Sequence, residues 1–136
     1  MVINRRSDYA CRMIREAYQC GESYVSVSEV AEREDIPYAF ARSIQHDLVH
    51  AGILKTIRGA HGGLALACDP KTTTVLDVLE ALQGPLCSSN CCMNPEECQR
   101  SQECEFSKIW RKGDALLRQF YGGVTLFDLF EGTTED

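Results

Sequence analysis

Cysteine is the residue type in this sequence whose number and spacing could do chemistry. Five of the eight cysteines fall within residues 87–104: Cys87, Cys91, Cys92, Cys98 and Cys104. Dense cysteines form disulfides in small secreted proteins, but this chain of 136 residues is long enough for a hydrophobic core and lacks the apolar stretch of a secretory signal. In a reducing compartment, a local cysteine cluster is more often a metal or redox site. The sequence therefore predicts a cytoplasmic protein with a cysteine-based metal or redox centre.

The spacing of Cys92, Cys98 and Cys104 limits the kind of centre. Five residues separate each cysteine from the next, which is too long for the paired Cys-x2-Cys ligands of common structural zinc sites. This spacing suits a loop wrapped around a bulkier group, such as an iron–sulfur cluster. Thiolates bind zinc, copper(I) and iron–sulfur clusters alike, so residue chemistry leaves the metal open. The outlying cysteines lie in or beside apolar faces and are predicted to be core residues: Cys11, Cys20 and Cys68.

The three histidines are weaker candidates for metal chemistry. His46 and His50 would share one face of a helix, where a position facing phosphate or solvent is the simpler interpretation. His61 falls in a glycine-rich turn and is better placed to meet DNA than a metal. The sequence has no glycine-rich phosphate loop, no recognisable Ser-His-Asp set and no HExxH motif. We therefore predict that the protein is not an enzyme.

The elements that must position these residues begin with a helix-turn-helix pattern. Apolar residues at helical spacing predict a first helix over residues 9–18, which Gly21 ends. Ser28 is predicted to cap a second helix that stops around Asp35, and a third helix covers residues 38–51 after Pro37. Two helices joined by so short a turn are typical of a helix-turn-helix. The third helix, the recognition helix, is predicted to bury one face: Phe40, Ile44, Leu48 and Ala51.

A hairpin directly follows the recognition helix. Residues 53–58 and 64–67 have the pattern of two strands, and residues 59–63 contain three glycines at the turn. Lys55 and Arg58 favour a DNA-contacting wing over a hairpin that only packs on the helices, and glycine at the tip lets backbone approach the duplex. Residues 1–74 are therefore predicted to form a winged helix-turn-helix DNA-binding region.

Residues 75–136 are predicted to form the second region. A fourth helix covers residues 74–82 with Val75, Leu76, Leu79 and Leu82 inward, and the cysteine-rich residues 86–104 form a loop. Thr125 caps a short final helix before an acidic tail. The fold class is mainly α with a small β-wing, and the long fifth helix over residues 105–121 carries more apolar surface than a monomer can cover, which predicts a homodimer. Its apolar residues are Phe106, Ile109, Trp110, Leu116, Leu117 and Phe120.

The net charge of −6 is unevenly distributed along the chain. Residues 1–74 hold nine Lys/Arg and nine Asp/Glu, whereas residues 75–136 hold five and eleven. Since DNA phosphates are neutralised by the basic residues that reach them, an acidic total does not exclude DNA binding. No apolar run approaches the roughly 20 residues of a membrane span, so no membrane partner is predicted.

Together these motifs resemble the IscR/NsrR/CymR (BadM-type) family of bacterial regulators. The resemblance rests on the helix-turn-helix, the wing sequence RGAHGG, the helix TVLDVLEALQGPL, the three spaced cysteines and the following KIW, and it covers about residues 2–130. It implies a dimer with the fifth helix at the interface and palindromic double-stranded DNA targets. In cluster-binding members it also implies an iron–sulfur cluster (4Fe–4S or 2Fe–2S) that senses redox state, nitric oxide or iron supply.

The resemblance implies a fourth ligand beyond the three spaced cysteines. Relatives similar to IscR place a histidine three residues after the third cysteine, where this chain has Ser107. Relatives similar to NsrR take an aspartate from near the partner's N-terminus, and Asp8 lies at that place, although Asp8 is equally an N-cap or first-turn acid of the first helix. Cys91 with Pro95 matches a Cys-x6-Cys pattern of some relatives, and Cys87 is a further alternative.

The implied function is a transcription regulator, repressor or activator, whose hold on a palindromic operator is controlled by the cluster. The alternative is a regulator of the same fold whose cysteines form disulfides or hold zinc, without an iron–sulfur cluster. In helix-turn-helix proteins the start of the recognition helix enters the major groove. The residues predicted to contact DNA are Ser28, Tyr38, Arg42, Ser43, Lys55, Arg58 and His61.

Overall fold

The computed structural model describes residues 2–59 and 62–132. Within those residues the fold is mainly α with one small antiparallel sheet, as predicted. The elements are α1 (Arg5–Gln19), α2 (Val27–Arg33), α3 (Tyr38–His50), β1 (Leu54–Ile57), β2 (Gly63–Leu66), α4 (Val75–Gln83), α5 (Asn90–Met93), a 3-10 turn (Pro95–Glu97), α6 (Glu105–Gly122) and α7 (Leu126–Phe130). In the described part of the chain, none of these helices combines the length and hydropathy needed to cross a membrane.

Helix α1 begins four residues earlier than predicted because Asn4 caps it. The Asn4 side chain accepts a hydrogen bond from the backbone N–H of Ser7 at 2.8 Å, which satisfies one of the free donors at the helix start. The inner face of α1 is fully buried, and its apolar members are Ala10, Met13, Ile14 and Ala17. This face forms the centre of the core on which the other elements pack.

The predicted cap of α2 is wrong by two residues. Ser26, not Ser28, is the N-cap, and its hydroxyl accepts a hydrogen bond from the backbone N–H of Glu29 at 3.1 Å. Val27 is therefore already helical and buried, which places Ser28 on the exposed side of the first turn. A capping serine has extended backbone angles and accepts a hydrogen bond from the N–H three positions on, and Ser26 meets both conditions.

The recognition helix α3 has a buried face that differs in part from the prediction. Ile44 and Leu48 are fully buried, but Ala41 and Gln45 complete the face. Phe40 is 52% exposed, since it lies about a quarter turn away from the centre of that face. Its ring instead packs edge-on against Tyr9 of α1, with ring centroids 6.4 Å apart. Ala51, beyond the end of α3, is exposed as well.

The wing is a two-stranded hairpin with a third contact at its inner edge. Leu54 of β1 pairs with Leu66 of β2, and Ile57 pairs with Gly63. Val25, just before α2, adds a bridge to Leu64, with hydrogen bonds of 3.1 and 2.8 Å between their backbones. Leu54 and Leu64 are buried, so the wing is packed onto the helix-turn-helix by its own apolar side.

The second region packs against the same core as the first. Thr74 caps α4 through reciprocal hydrogen bonds with Asp77. Val78 and Leu79 are the buried residues of α4; Leu79 was predicted to face inward and Val78 was not, whereas Val75, Leu76 and Leu82 are only half-buried. Leu126 of α7 joins the core, and Thr125 caps α7 as predicted.

The cysteine-rich stretch is not a plain loop, contrary to the prediction. It contains α5 and the 3-10 turn at Pro95–Glu97, separated by Asn94. Pro95 starts that turn, where a missing N–H costs nothing. Short helical turns of three or four residues have no amphipathic period, so the apolar pattern of the sequence could not indicate them.

We predict that Gly63→Ala lowers the free energy of unfolding by about 1–3 kcal/mol, in the range for inserting a methyl group into packed structure. A Cβ at Gly63 would lie 2.5 Å from Cδ2 of Tyr24 and 2.9 Å from the backbone oxygen of Val25. Urea unfolding at one fixed protein concentration measures the change. Gly113→Ala is the matched control, because a Cβ there meets open space and alanine favours the helix. Equal stability of the two variants would contradict the prediction.

Candidate nucleic-acid interface and cysteine centre

The exposed side of α3 carries the predicted DNA-contacting residues of the helix-turn-helix. Tyr38, Arg42 and Ser43 all lie on the first half of α3 and are exposed. Ser28 is exposed on the first turn of α2. Because α2 and α3 pack against each other, these exposed side chains lie on neighbouring elements.

A groove of about 290 Å³ joins this surface to the wing. Ser28, Tyr38 and Arg42 contribute to its lining from the helices, and Thr56 and Gly62 contribute from the wing. Lys55 and Arg58 are exposed on and just after β1, outside the lining of the groove. His61, also predicted to contact DNA, lies outside the described residues.

Polar residues that were not predicted to contact DNA also line this groove. They include Gln45, which is buried, and Thr56. Gln45 follows Arg42 by three positions, a spacing that puts both on one side of a helix and that was available in the sequence. His46 also lines the groove, whereas His50 is exposed near the end of α3.

Electrostatic balance on α3 depends on a partner from α1. Asp47 is an acid on the recognition helix, where it would repel DNA phosphates. Arg6 forms an ion pair with Asp47 and donates a second hydrogen bond to the hydroxyl of Ser43 at 3.1 Å. The pair offsets the acidic charge on α3, and it ties the first turn of α1 to α3.

The cysteine segment, residues 86–104, is held mainly by polar bonds from α6. Asp114 accepts a hydrogen bond from the backbone N–H of Ser88 at 3.0 Å, and Arg111 donates one to the backbone oxygen of Ser101 at 3.2 Å. Ser101 in turn donates to the backbone oxygen of Pro95 at 3.1 Å. Leu86 is the buried apolar anchor at the start of the segment.

Two serine hydroxyls surround the thiol of Cys91. The hydroxyl of Ser89 lies 3.2 Å from Sγ of Cys91 and 3.1 Å from Sγ of Cys92. On the other side, Sγ of Cys91 lies 3.7 Å from the hydroxyl of the buried Ser107. Hydrogen bonds from Ser89 and then Ser107 lower the pKa of Cys91, since they stabilise its thiolate. The pKa of Cys87 is raised, first by burial and then by the nearby carboxylate of Asp114.

The three spaced cysteines are not gathered into one ligand group. Cys92 is half-buried in α5, Cys98 is exposed after the 3-10 turn, and Cys104 is the half-buried N-cap of α6. Across residues 2–59 and 62–132, no three histidine, cysteine or acidic side chains converge closely enough to hold one metal ion. Soft thiolates in this number fit an iron–sulfur cluster or zinc chemically.

Asp8 lies in the first turn of α1 rather than at its cap, which is Asn4. Its carboxylate accepts a hydrogen bond from Arg12 at 2.7 Å, and 52% of its side chain is exposed. Asp8 also borders a cavity of about 400 Å³ between α1, α4 and α7. Cys11 borders the same cavity and is an exposed residue, so its predicted place in the core is wrong. Cys20 and Cys68 are half-buried against the core, closer to the prediction.

Comparison with known proteins adds a family match over nearly the whole chain. A family model described as "Rrf2: Iron-dependent Transcriptional regulator" matches residues 3–132. The chain is 27% identical over 117 residues to the HTH-type transcriptional regulator CymR of Bacillus subtilis, covering 86% of this chain and 80% of that protein. It is 25% identical over 130 residues to the HTH-type transcriptional regulator IscR of Vibrio vulnificus (strain YJ016), covering 95% and 77% respectively.

Solved structures share the fold. The structure of T. potens IscR matches with a TM-score of 0.77 at 23% identity, covering 98% of this chain and 89% of that one. The structure of CymR, described as the global cysteine regulator of B. subtilis, matches with a TM-score of 0.75 at 24% identity, covering 98% and 99%. At these identities the likeness is one of architecture: helix-turn-helix, wing and long C-terminal helix occur in the same order.

Proposed function

Because this chain belongs to the Rrf2 family of transcriptional regulators, which are not enzymes, we propose that it is a cytoplasmic dimer whose cysteine segment controls its hold on a palindromic operator. Of these properties, DNA binding follows from membership in a family of transcriptional regulators. The palindromic form of the operator, the dimer and the controlling group are parts of the proposal. The observation that carries them is the arrangement of one polar groove on α3 and the wing together with a cysteine segment held by polar bonds.

Arg42 is the residue proposed to read bases. It lies exposed on the first half of α3, the part that enters the major groove in helix-turn-helix proteins. A guanidinium can hold guanine through two hydrogen bonds, which no other cation on α3 could do. Tyr38, Ser43 and Ser28 would contact bases or phosphates beside it. Lys55 and Arg58 would contact the backbone or minor groove from the wing, as would His61.

We predict that Arg42→Ala weakens binding to an operator selected from random DNA by roughly 1–3 kcal/mol and relaxes base preference. Fluorescence anisotropy with the selected operator and with random duplex measures both effects. Arg42→Lys is the matched control, because it keeps the charge and loses the two-point grip. Equal losses on operator and random duplex would instead make Arg42 a phosphate contact.

The dimer is proposed from the outer face of α6. The side of α6 that carries Ser107 and Asp114 packs on its own chain. A second side presents large apolar residues that are exposed in the single chain: Phe106, Ile109, Trp110, Leu116 and Phe120. Contiguous apolar patches of this kind mark protein interfaces. A second copy of α6 would cover this apolar side of the helix. Two recognition helices would then meet successive major grooves about 34–36 Å apart.

We predict that Ile109→Glu converts the dimer to a monomer, since it puts a charge at the centre of the apolar face. Sedimentation velocity over a concentration series measures the change. Gln119→Glu adds the same charge on the polar side of α6 and should leave the dimer intact. A wild-type chain that sediments as a monomer at micromolar concentration would rule out the proposed assembly.

The controlling group is proposed to be an iron–sulfur cluster held by Cys92, Cys98 and Cys104. The donor chemistry supports this, as does the family description as iron-dependent. When bound, such a cluster would supply redox and nitric oxide sensitivity. Asp8 of a second copy is the proposed fourth ligand, because its carboxylate is half-exposed in the first turn of α1 and pairs there with Arg12 of the same helix. Cys91 and Cys87 are the alternative ligands, and Cys91 is already beside Cys92 through their shared contact with Ser89.

We predict that replacing Cys92, Cys98 or Cys104 by serine removes visible absorption from anaerobically purified protein, together with its iron. Cys68→Ser is the control for loss of a thiol elsewhere. Asp8→Ala should leave a cluster with an altered spectrum that is lost faster, and its DNA affinity should match that of the metal-free protein. If Asp8→Ala changes neither the spectrum nor the DNA affinity, while Cys91→Ser or Cys87→Ser removes the visible absorption, the fourth ligand is a thiolate.

A second candidate is a thiol-redox or zinc regulator without an iron–sulfur cluster. It is favoured by one observation, namely that the hydroxyl of Ser89 lies within hydrogen-bond distance of both adjacent thiols, Cys91 and Cys92. Iron and zinc analysis of the anaerobic protein separates the two functions, because zinc and dithiol forms are colourless.

A further inference from the structure

The N-terminal arm, residues 2–6, contacts two functional regions of the chain at once. At one end, the side chain of Gln83 forms two hydrogen bonds with the arm's backbone. Its Nε2 donates to the backbone oxygen of Val2 at 3.0 Å, and its Oε1 accepts from the backbone N–H of Asn4 at 3.3 Å. This paired arrangement, here named the Gln83 clasp, satisfies two backbone groups with one side chain, as a neighbouring strand would.

At the other end of the arm, the side chain of Arg6 contacts the recognition helix α3. Arg6 donates to Ser43 at 3.1 Å and pairs with Asp47, which lies one helical turn further along α3. The side chains of Arg6 and Asp47 are 30% and 45% exposed, so water screens the pair only in part. Because the two acceptors of Arg6 Nη2 lie one helical turn apart on α3, Arg6 ties this side of α3 to the first turn of α1.

The two ends are joined by short, hydrogen-bonded backbone. Asn4, held by the clasp, is also the N-cap of α1, where it bonds Ser7 at 2.8 Å. Its backbone oxygen accepts from the N–H of Asp8 at 3.0 Å, so the helix carrying Arg6 starts directly at the clasp. A shift of Gln83 is therefore passed to Arg6 through two residues that have little freedom to absorb it.

Gln83 is also the last residue of α4, and only two residues separate it from the cysteine segment. These are Gly84, which has a positive φ of 78°, and Pro85; the segment then begins at Leu86. The backbone N–H of Leu86 bonds Glu80 of α4 at 3.4 Å, which couples the start of the segment to the last turn of α4. A rearrangement of the segment therefore acts on the turn that holds the Gln83 clasp.

We infer that Arg6 is a positioning residue for α3 and that the Gln83 clasp transmits the state of the cysteine segment to it within one subunit. The inference deepens the proposed function and rests on it, since it names the route of regulation. It differs from the proposed tie through Asp8, which needs a second copy of the chain. Arg6 acts through Asp47 and Ser43, not by touching DNA.

A double-mutant cycle on Arg6 and Asp47 tests the positioning role. Arg6→Ala should weaken binding to the selected operator by about tenfold in the wild-type background and by less than about twofold beside Asp47→Ala, since coupled neighbours are not additive. The dependence of affinity on salt should keep its slope, because no phosphate contact is lost. Arg5→Ala removes the same charge from the exposed neighbouring residue and serves as the control. Equal losses in both backgrounds, with the slope reduced by about one, would make Arg6 a phosphate contact and overturn this role.

A second measurement tests the clasp. Operator affinity is compared between anaerobically isolated protein and the same protein after chelation and air oxidation, which changes both metal and thiol state. The wild-type ratio should be at least about fivefold, in the range of allosteric coupling. Gln83→Met, which removes both hydrogen bonds at similar length, should bring the ratio to within about twofold of unity while iron content and the thermal unfolding curve stay unchanged. Gln83→Glu keeps only the hydrogen-bond acceptor, so its affinity ratio should lie between those of the wild type and Gln83→Met.

Gln19→Met is the matched control, because Gln19 is an exposed glutamine that also ends a helix. It should keep the wild-type ratio. If the operator affinity of the wild type does not change with the state of its cysteines, the proposed regulation is wrong, and so is the proposed role of the Gln83 clasp. If the operator affinities of the wild type and of Gln83→Met change equally with the state of the cysteines, only the proposed role of the Gln83 clasp is wrong and the proposed function stands.

Discussion

The buried face of α1 is the constraint on which the rest of the structure depends. Met13 and Ile14 are fully inaccessible to solvent, and the helix-turn-helix, the wing, α4 and α7 all contribute to the core around them. Deleting a buried side chain of this size typically costs several kcal/mol, because the cavity left behind cannot close completely. Since so many elements share one packed face, none of them can move far without changing its contact with α1. The proposed regulation of α3 would therefore act at the exposed start of α1, where polar contacts can change while the core stays closed.

The cysteine segment follows a different rule. Apart from Leu86 and Ser101, its described residues are half-buried or exposed. Its position depends on the hydrogen bond that Asp114 accepts from Ser88 and the one that Arg111 donates to Ser101. Segments with few buried apolar contacts open at low free-energy cost, and they are the natural places for motion coupled to binding. A segment of this kind can exchange one set of polar bonds for metal–thiolate bonds. A packed core could not do so without losing its apolar contacts.

The parts of the fold that follow from local periodicity could be predicted from the sequence, and the parts that depend on a contact across the chain could not. Helix α3, the hairpin, the long α6 and the cap at Thr125 all follow from patterns within about a dozen residues. The cap of α2 was misplaced because Ser26 and Ser28 offer the same chemistry, and only the packing of Val27 distinguishes them. Phe40 was assigned to the core because its spacing fits a helix face, but the face turned toward α1 is centred a quarter turn away. The candidate site divides in the same way: Arg42 stands out by type and position, whereas the pairing of Arg6 with Asp47 joins residues 41 positions apart.

The docking of α7 has a consequence for how the chain is made. Leu126 completes the core around α1, and Tyr18 of α1 hydrogen-bonds Glu131, 113 positions later. At roughly 5–20 residues per second, a ribosome needs about 6 to 23 s to add those positions. Throughout that interval α1 exists without its final partner, and the cysteine-rich residues emerge before the helix that closes the core. The cysteine thiols of the nascent chain are therefore accessible while the chain is still incompletely folded. The order of synthesis thus allows metal binding or oxidation before α7 completes the core.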